Sequence, residues 1–404
     1  MSNSFYLLGV QFLLLLHSYT SSKVIAPISF PISPSPAYSL RSFNVVKTFG
    51  AKNDGKTDAT QAFRRAWKAA CASSIPSQIY VPHGTYLLRP IIFEGNNCKL
   101  DVLFRIDGTL IAHNVTYRNE TWIGFHNVDG LHIMGGILDA QGKTIWDCKE
   151  GHARLMRCLR GAKSLSFEGS KNVIVDGLTS RNSQMFHITI NACENIHMGG
   201  VTITADGDSP NTDGIHMEKS KGIKIMHSQI MTGDDCISIG PNSHNIWVEN
   251  VFCGPGHGIS IGSLGRLSDE GVVVQNVTVK SVTFIGTYNG LRIKTFSTPI
   301  YGIVKDIYFL GVTIIDVRYP IIIDQNYCPH GICPRAQDLL SPKATIRKLF
   351  EESMQRYQGD PVWNNELNVA FNLFSFNSTK LKGLLEVAYE SHTVPQAANL
   401  CKAL

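Results

Sequence analysis

The chain of 404 residues is 43% hydrophobic and 17% charged, a balance that supports one large core and excludes a disordered or coiled-coil chain. Its 35 Gly and 17 Pro break helices and mark turns, so strands and loops should dominate. Lys and Arg total 37 against 32 Asp and Glu, a net charge of +5 with no long basic run, which excludes nucleic acid and suits a polyanion met at a local patch.

The apolar run from Phe5 to Leu16 is shorter than the roughly 20 residues needed to span a bilayer, and small polar residues follow it from Ser18 to Ser22. Residues 1–22 therefore read as a cleaved signal peptide; because no Lys or Arg precedes the run, a buried helix or anchor is the alternative. No later segment is apolar enough to span a membrane. Pro27, Pro31, Pro34 and Pro36 make residues 23–42 an extended linker. Sequons at Asn114, Asn119, Asn276 and Asn377 fit a secretory route. Ten Cys without a clean CxxC pair point to disulfides rather than zinc, Cys236 with Cys253 and Cys328 with Cys333 being near in sequence.

Folded sequence starts near Phe43. Ala62, Phe63, Ala66, Trp67 and Ala70 keep helical spacing behind an Asp or Thr cap, which predicts one amphipathic helix. Short β-branched runs follow at Gln78 to Val81, Val102 to Ile106, Leu131 to Ile133 and Leu165 to Phe167. Turn-then-strand units then begin at Asn172, Asn195, Gly222 and Asn245, at intervals of 23, 27 and 23 residues. A period of this size without helices excludes leucine-rich, ankyrin and helical repeats and leaves an all-β parallel β-helix, its coils about 4.8 Å apart. Further coils begin near Gly271 and Asp306, and the Phe63/Trp67 helix is placed to cap the first one.

Stacking converts sequence offset into spatial address. Asp213, Asp235 and His257 are 22 residues apart in succession and should form a ladder over three coils, with Asp234 beside the middle rung. About a coil and a half onward, Arg292 and Lys294 share one strand face while Ile293 points inward. Close carboxylates cannot all ionise, so one pKa should rise, giving an acid beside a base, which is glycosidase equipment. The two cations suit a substrate bearing its own carboxylate. Taken singly, Asp-Asp in a Gly-rich turn is more often a turn former or calcium ligand, Gly-His-Gly a turn, and Arg-x-Lys a solvated strand face. Their joint spacing favours catalysis.

Asn211-Thr212-Asp213, Gly233-Asp234-Asp235-Cys236, Gly256-His257-Gly258 and Arg292-Ile293-Lys294 resemble the four motifs of the polygalacturonases, pectin-cleaving glycoside hydrolases, in their plant branch. The resemblance runs from roughly Phe43 to Gln337 and implies a right-handed, pectin-lyase-like β-helix over residues 43–337. It further implies hydrolysis of α-1,4 linkages in polygalacturonate with inversion, no metal and no cofactor, by a secreted monomer of the cell wall whose partner is pectin. In that scheme Asp234 is the general acid, Asp213 and Asp235 activate water, and His257 orients the acid. Asn211 positions substrate, and Arg292 with Lys294 holds a uronate. Inversion rests on the resemblance alone, because a one-coil spacing of about 5 Å is the separation that the general rule gives retaining enzymes.

The family's further coils, a later tyrosine near the site and further paired cysteines are not found after Cys333-Pro334. Residues 338–404 read as divergent, with helical spacing at Ile346, Leu349, Phe350 and Met354, and either cap a shortened solenoid or are sequence foreign to the repeat, leaving Cys401 without an evident partner. A shortened solenoid exposes sheet edge and core, so lower stability than that of a longer relative is expected. Two other readings stay open on the residues alone. An inactive pectin-binding wall protein would keep the cationic groove, against which stand intact Asp213, Asp234 and Asp235; a calcium-dependent pectate lyase would not need the Asn-Thr-Asp and Asp-Asp pattern, which favours water as nucleophile.

Overall fold

Val173 and Val175 point inward and Ile174 outward along the strand Lys171–Asp176, the period of two that a pleated strand imposes. The computed structural model, which describes residues 40–113, 121–152, 161–266, 271–296, 302–329, 367–376 and 385–389, repeats this pattern coil after coil. The leader, the linker up to residue 39, Asn114, Asn119, Asn377, Cys333, the helical spacing from Ile346 to Met354 and Cys401 lie outside those residues.

Each full coil contributes three short strands, and each strand pairs in parallel with its counterpart one coil away. One face is a nine-stranded sheet running from Ile91–Glu94 to Tyr319–Tyr327. The other two faces merge into a 21-stranded sheet, because the long strand Gly302–Ile315 pairs with both Val272–Lys280 and Thr283–Ile285. The fold is the right-handed parallel β-helix expected. Its core is built of columns: Val173, Ile196, Ile223, Ile246, Val277 and Ile307 lie in register, none more than 2% exposed. Burying each such side chain is worth about 1.5–3 kcal/mol against exposure.

The repeat at Asn172, Asn195, Gly222 and Asn245 has a conformational cause. Their φ angles are 51°, 58°, 70° and 59°, the left-handed region that Gly and Asn tolerate best. The corner amides also stack: Asn195 Nδ2 donates to Asn172 Oδ1 at 2.6 Å, and Asn172 Nδ2 to Asp129 Oδ1 at 2.6 Å. The next corners in register are Asn276 and Asp306. Asp306 agrees with the expected coil start, whereas the expected start at Gly271 falls at the beginning of an elongated strand. Asn276 is also a sequon residue, and its Nδ2, the atom a glycan would take, donates to Asn245 Oδ1 at 2.8 Å.

Helix α1, Thr60–Ala72, buries Ala62, Phe63, Ala66, Trp67 and Ala70 as its spacing requires. Its N-cap is Ala59, without a side-chain bond; Asp58 instead accepts from the Thr60 N–H at 2.9 Å, one residue outside the expected cap position. Trp67 packs on Phe93 and Phe125 at ring separations of 5.1 and 5.5 Å, closing the first coils. A second helix, α2 (Lys143–His152), interrupts the solenoid between strands and has no counterpart in the sequence reading. Cys236 and Cys253 are bonded as expected, and Cys71 with Cys98 ties α1 to the loop before Val102. Cys328 is disulfide-bonded.

The described part of the C-terminal segment is made of two strands. Leu367–Phe376 pairs antiparallel with Gly302–Ile315, and Leu385–Tyr389 pairs antiparallel with Leu367–Phe376. These strands cover one sheet edge. Among the described residues no helix is long and apolar enough to cross a membrane.

The corner ladder predicts that Asn195→Ala, which forces a Cβ-bearing residue without a side-chain amide into the left-handed corner, costs about 1–2 kcal/mol. Asn195→Gly, which keeps the conformation and loses only the amide, should cost less than half as much in urea unfolding.

Candidate active site

Three strands of the nine-stranded sheet, Ile215–Glu218, Ile237–Ile239 and Ile259–Leu264, pair so that Ile215, Ile237 and Ile259 share one column. Asp213, Asp235 and His257 each stand two residues earlier and stack as the spacing predicts. The Gly214 N–H donates to the Asp235 carbonyl at 2.9 Å, and the Cys236 N–H to the Gly258 carbonyl at 2.8 Å. Turn chemistry then aims the side chains. Thr212 Oγ1 donates to the Ser209 carbonyl at 2.6 Å and accepts from the Gly233 N–H at 2.9 Å, tying the Asp213 turn to the Asp234 turn. Gly256 has φ 131°, and a Cβ there would lie 2.5 Å from the Asp234 carbonyl, so only glycine lets His257 fold back over Asp234.

The three carboxyls have three different environments. Asp234 Oδ1 lies 3.0 Å from His257 Nδ1 and accepts from the Asp235 N–H at 2.8 Å, while its Oδ2 accepts from the Asn211 N–H at 3.0 Å. Asn211 adds its Nδ2 at 3.4 Å. Burial opposes ionisation of Asp234, but the hydrogen bond and charge of His257, then Lys294 and the Asp235 N–H, outweigh it and hold the carboxyl below its usual range. Asp213 is 6% exposed; burial, then the charges of Asp234 and Asp235, push its pKa well up, and Lys294 and the Ser238 hydroxyl oppose this only in part. The raised carboxyl is therefore Asp213, not Asp234. Asp235, 1% exposed, accepts from Ser260 Oγ at 2.8 Å and from the Lys294 ammonium at 2.6 Å. Desolvation disfavours the charged Lys294, but Asp235 more than compensates, and its pKa is raised.

Arg292 pairs in register with Ser260, so the two cations lie one coil beyond His257 rather than one and a half. Arg292 Nε is buried and has no hydrogen-bond partner among the described residues. Tyr327 lies beneath both cations, its ring centre 5.1 Å from the Arg292 guanidinium and 5.3 Å from the Lys294 ammonium. A tyrosine at the site was expected to be missing with the lost coils; Tyr327 supplies one inside the matched region.

The sequence reading also missed a chain that ends on Asp213. Ser238 Oγ donates to Asp213 Oδ2 at 2.9 Å, and His216 Nδ1 lies 2.6 Å from the same hydroxyl. Burial, with Arg266, Lys163 and Lys294 assisting, pushes the pKa of His216 down to about 4, so its ring is neutral near pH 7. Ser238 and Ser260 repeat the 22-residue offset of the carboxylate ladder three residues downstream, and that offset was the signal for them. Oxygen and nitrogen atoms of Asp234, Asp235 and His257 lie within 4.8 Å of one another, a set that could hold a cation. Here Lys294 engages Asp235 Oδ2 and His257 engages Asp234 Oδ1.

Lys294→Met should leave Asp235 as an uncompensated buried charge and destabilise the fold by about 3–5 kcal/mol in chemical unfolding. Adding Asp235→Asn to that variant should recover a large part of the loss.

Residues 71–341 match the profile of glycosyl hydrolases family 28. The chain is 53% identical over 293 residues to a polygalacturonase of Prunus persica, covering 72% of this chain and 74% of the relative. To an exopolygalacturonase of Platanus acerifolia it is 45% identical over 296 residues, 72% of this chain and 77% of the relative. Among solved structures, the exopolygalacturonase from Thermotoga maritima has a TM-score of 0.56 at 22% identity, covering 72% of this chain and 77% of that one. A polygalacturonase from Erwinia carotovora has a TM-score of 0.54 at 24% identity, covering 74% and 83%. These two likenesses show the β-helical fold.

Proposed function

Because this chain belongs to glycosyl hydrolases family 28, we propose that the groove holding Asp213, Asp234 and Asp235 cleaves the α-1,4 linkage of polygalacturonate by acid/base displacement with inversion. The chain is a glycosidase that acts on polygalacturonic acid. The observation that carries the residue roles is the unequal set of carboxyls on one groove wall, next to a buried guanidinium nitrogen without a partner.

Asp234 serves as the general acid, and the proton it delivers to the leaving oxygen is held across the 3.0 Å contact with His257. Asn211 fixes the orientation of that carboxyl through the other oxygen. Asp235, bonded to the Lys294 ammonium at 2.6 Å, and Asp213 activate water. Arg292, with Nε still to be satisfied, and Lys294 hold the uronate carboxylate of the substrate over Tyr327. Lys294 already on Asp235 supports water, rather than calcium-assisted elimination, as the chemistry of the site. The catalytic unit spans residues 43–337 behind a leader and linker, and the protein works as a secreted monomer in the cell wall.

Reducing-sugar release from polygalacturonic acid, with chelator present, tests the reading. Wild type should release sugar without forming an unsaturated product, and Asp234→Asn should lower kcat by about 10²–10⁴. No release from folded wild type overturns it.

The pH dependence follows from Asp213. A base works only when ionised, so a raised pKa places the acidic limb of kcat/KM above the ordinary carboxylate range of about 4. The Ser238 hydroxyl favours the ionised form. Ser238→Ala should therefore move that limb to still higher pH, and an unmoved limb would remove Asp213 from the rate.

A further inference from the structure

The nine-stranded sheet does not end at His257, and the coils beyond it carry a row of exposed rings. The His257 and Tyr288 ring centres are 5.8 Å apart, and those of Tyr288 and Tyr319 are 5.3 Å apart. The row is built by the same stacking that aligns the carboxylates. The Tyr288 N–H donates to the Gly256 carbonyl at 2.7 Å, and the Tyr319 N–H to the Tyr288 carbonyl at 3.0 Å. Tyr288 is 45% exposed and Tyr319 38%, so both rings are open to a ligand. Arg318, also exposed, places its guanidinium carbon 5.1 Å from the centre of the Tyr288 ring and 5.4 Å from that of Tyr319. Among the described residues no carboxylate forms an ion pair with it.

A guanidinium held over ring faces is positioned without spending its N–H donors, which stay available to a planar carboxylate. The ring edges and faces left exposed suit the C–H face of a sugar. Both demands together describe a uronosyl unit: an apolar pyranose face bearing one carboxylate. The coil rise of about 4.8 Å is close to the length of one such unit, so successive coils can address successive units of a linear polymer. Arg292 and Lys294 lie on the Tyr288 coil, and the register that pairs Asn289 with Tyr319 puts Arg318 one coil further on.

We propose that Tyr288, Arg318 and Tyr319 form a further binding subsite for a uronosyl unit, one coil beyond the unit held by Arg292 and Lys294. The proposal rests on the polygalacturonate reading for its ligand, and it adds the residues that read the neighbouring unit of the chain.

Calorimetry on the full-length Asp234→Asn protein, which binds without turnover, separates this subsite from the chemistry. With hexagalacturonate as probe, Arg318→Gln and Tyr319→Ala should each weaken Kd by about tenfold, the size of one charge-assisted or stacking contact. Tyr319→Phe, which keeps the ring, should retain the affinity. With monogalacturonate, which fills the Arg292/Lys294 unit alone, the same substitutions should change Kd little. With fully methyl-esterified hexagalacturonate the Arg318→Gln loss should disappear, because the carboxylate it reads is blocked. An unchanged Kd for hexagalacturonate, or equal losses for the short and long probes, overturns the proposal. Failure of the hydrolase reading would appear separately, as wild type that binds hexagalacturonate with this dependence on Arg318 and releases no sugar.

Discussion

Register between coils is the constraint on which every other feature depends. Parallel strands leave no freedom to slide, because a one-residue slip would turn each buried Ile or Val toward solvent. The left-handed corners at Asn172, Asn195, Gly222 and Asn245 hold that register by bending the chain at the same point near the start of each strand, and the stacked amides link one corner to the next. Catalytic geometry follows directly: Asp213 and Asp235 meet because Ile215 and Ile237 pair. The protein aligns its carboxylates with the hydrogen bonds that fold it, so the site is rigid from the outset.

Within that frame the site distributes charge rather than neutralising it. Three carboxyls and one buried ammonium leave negative charge in a poorly solvated wall, and the fold sorts it by contacts. Lys294 takes Asp235, His257 takes Asp234, and Asp213, bonded to the Ser238 hydroxyl, is pushed up by burial and by the charges of Asp234 and Asp235. Asp234, the carboxyl assigned to donate, draws on the imidazole beside it.

Much of this was legible in the sequence because a solenoid writes its geometry as arithmetic. The offset of 22 residues brought Asp213, Asp235 and His257 together, and the corner residues marked the coils. What escaped did so for physical reasons. Beyond His257 the coils lengthen, with Asn245 and Asn276 separated by 31 residues, so a search at 22 to 27 passes over Tyr288 and Tyr319. Tyr327 was overlooked because it precedes a cysteine at the apparent limit of the repeat, although its strand pairs with the one that carries Arg292 and Lys294. Helix α2 is a loop excursion that leaves no mark on the period. The strands at Leu367–Phe376 and Leu385–Tyr389 pair antiparallel, and that pairing needs alternation rather than a coil-length repeat.

Those last two strands also give the molecule an uneven end. Among the described residues they extend one face two strands beyond Gly302–Ile315, while the last strand of the neighbouring face is Gly302–Ile315 and that of the nine-stranded face is Tyr319–Tyr327. A second solenoid could add to this end only by seating all three of its faces on level edges at once. Among the described residues the edges form a step, so a second solenoid meeting this end would not find its three faces level.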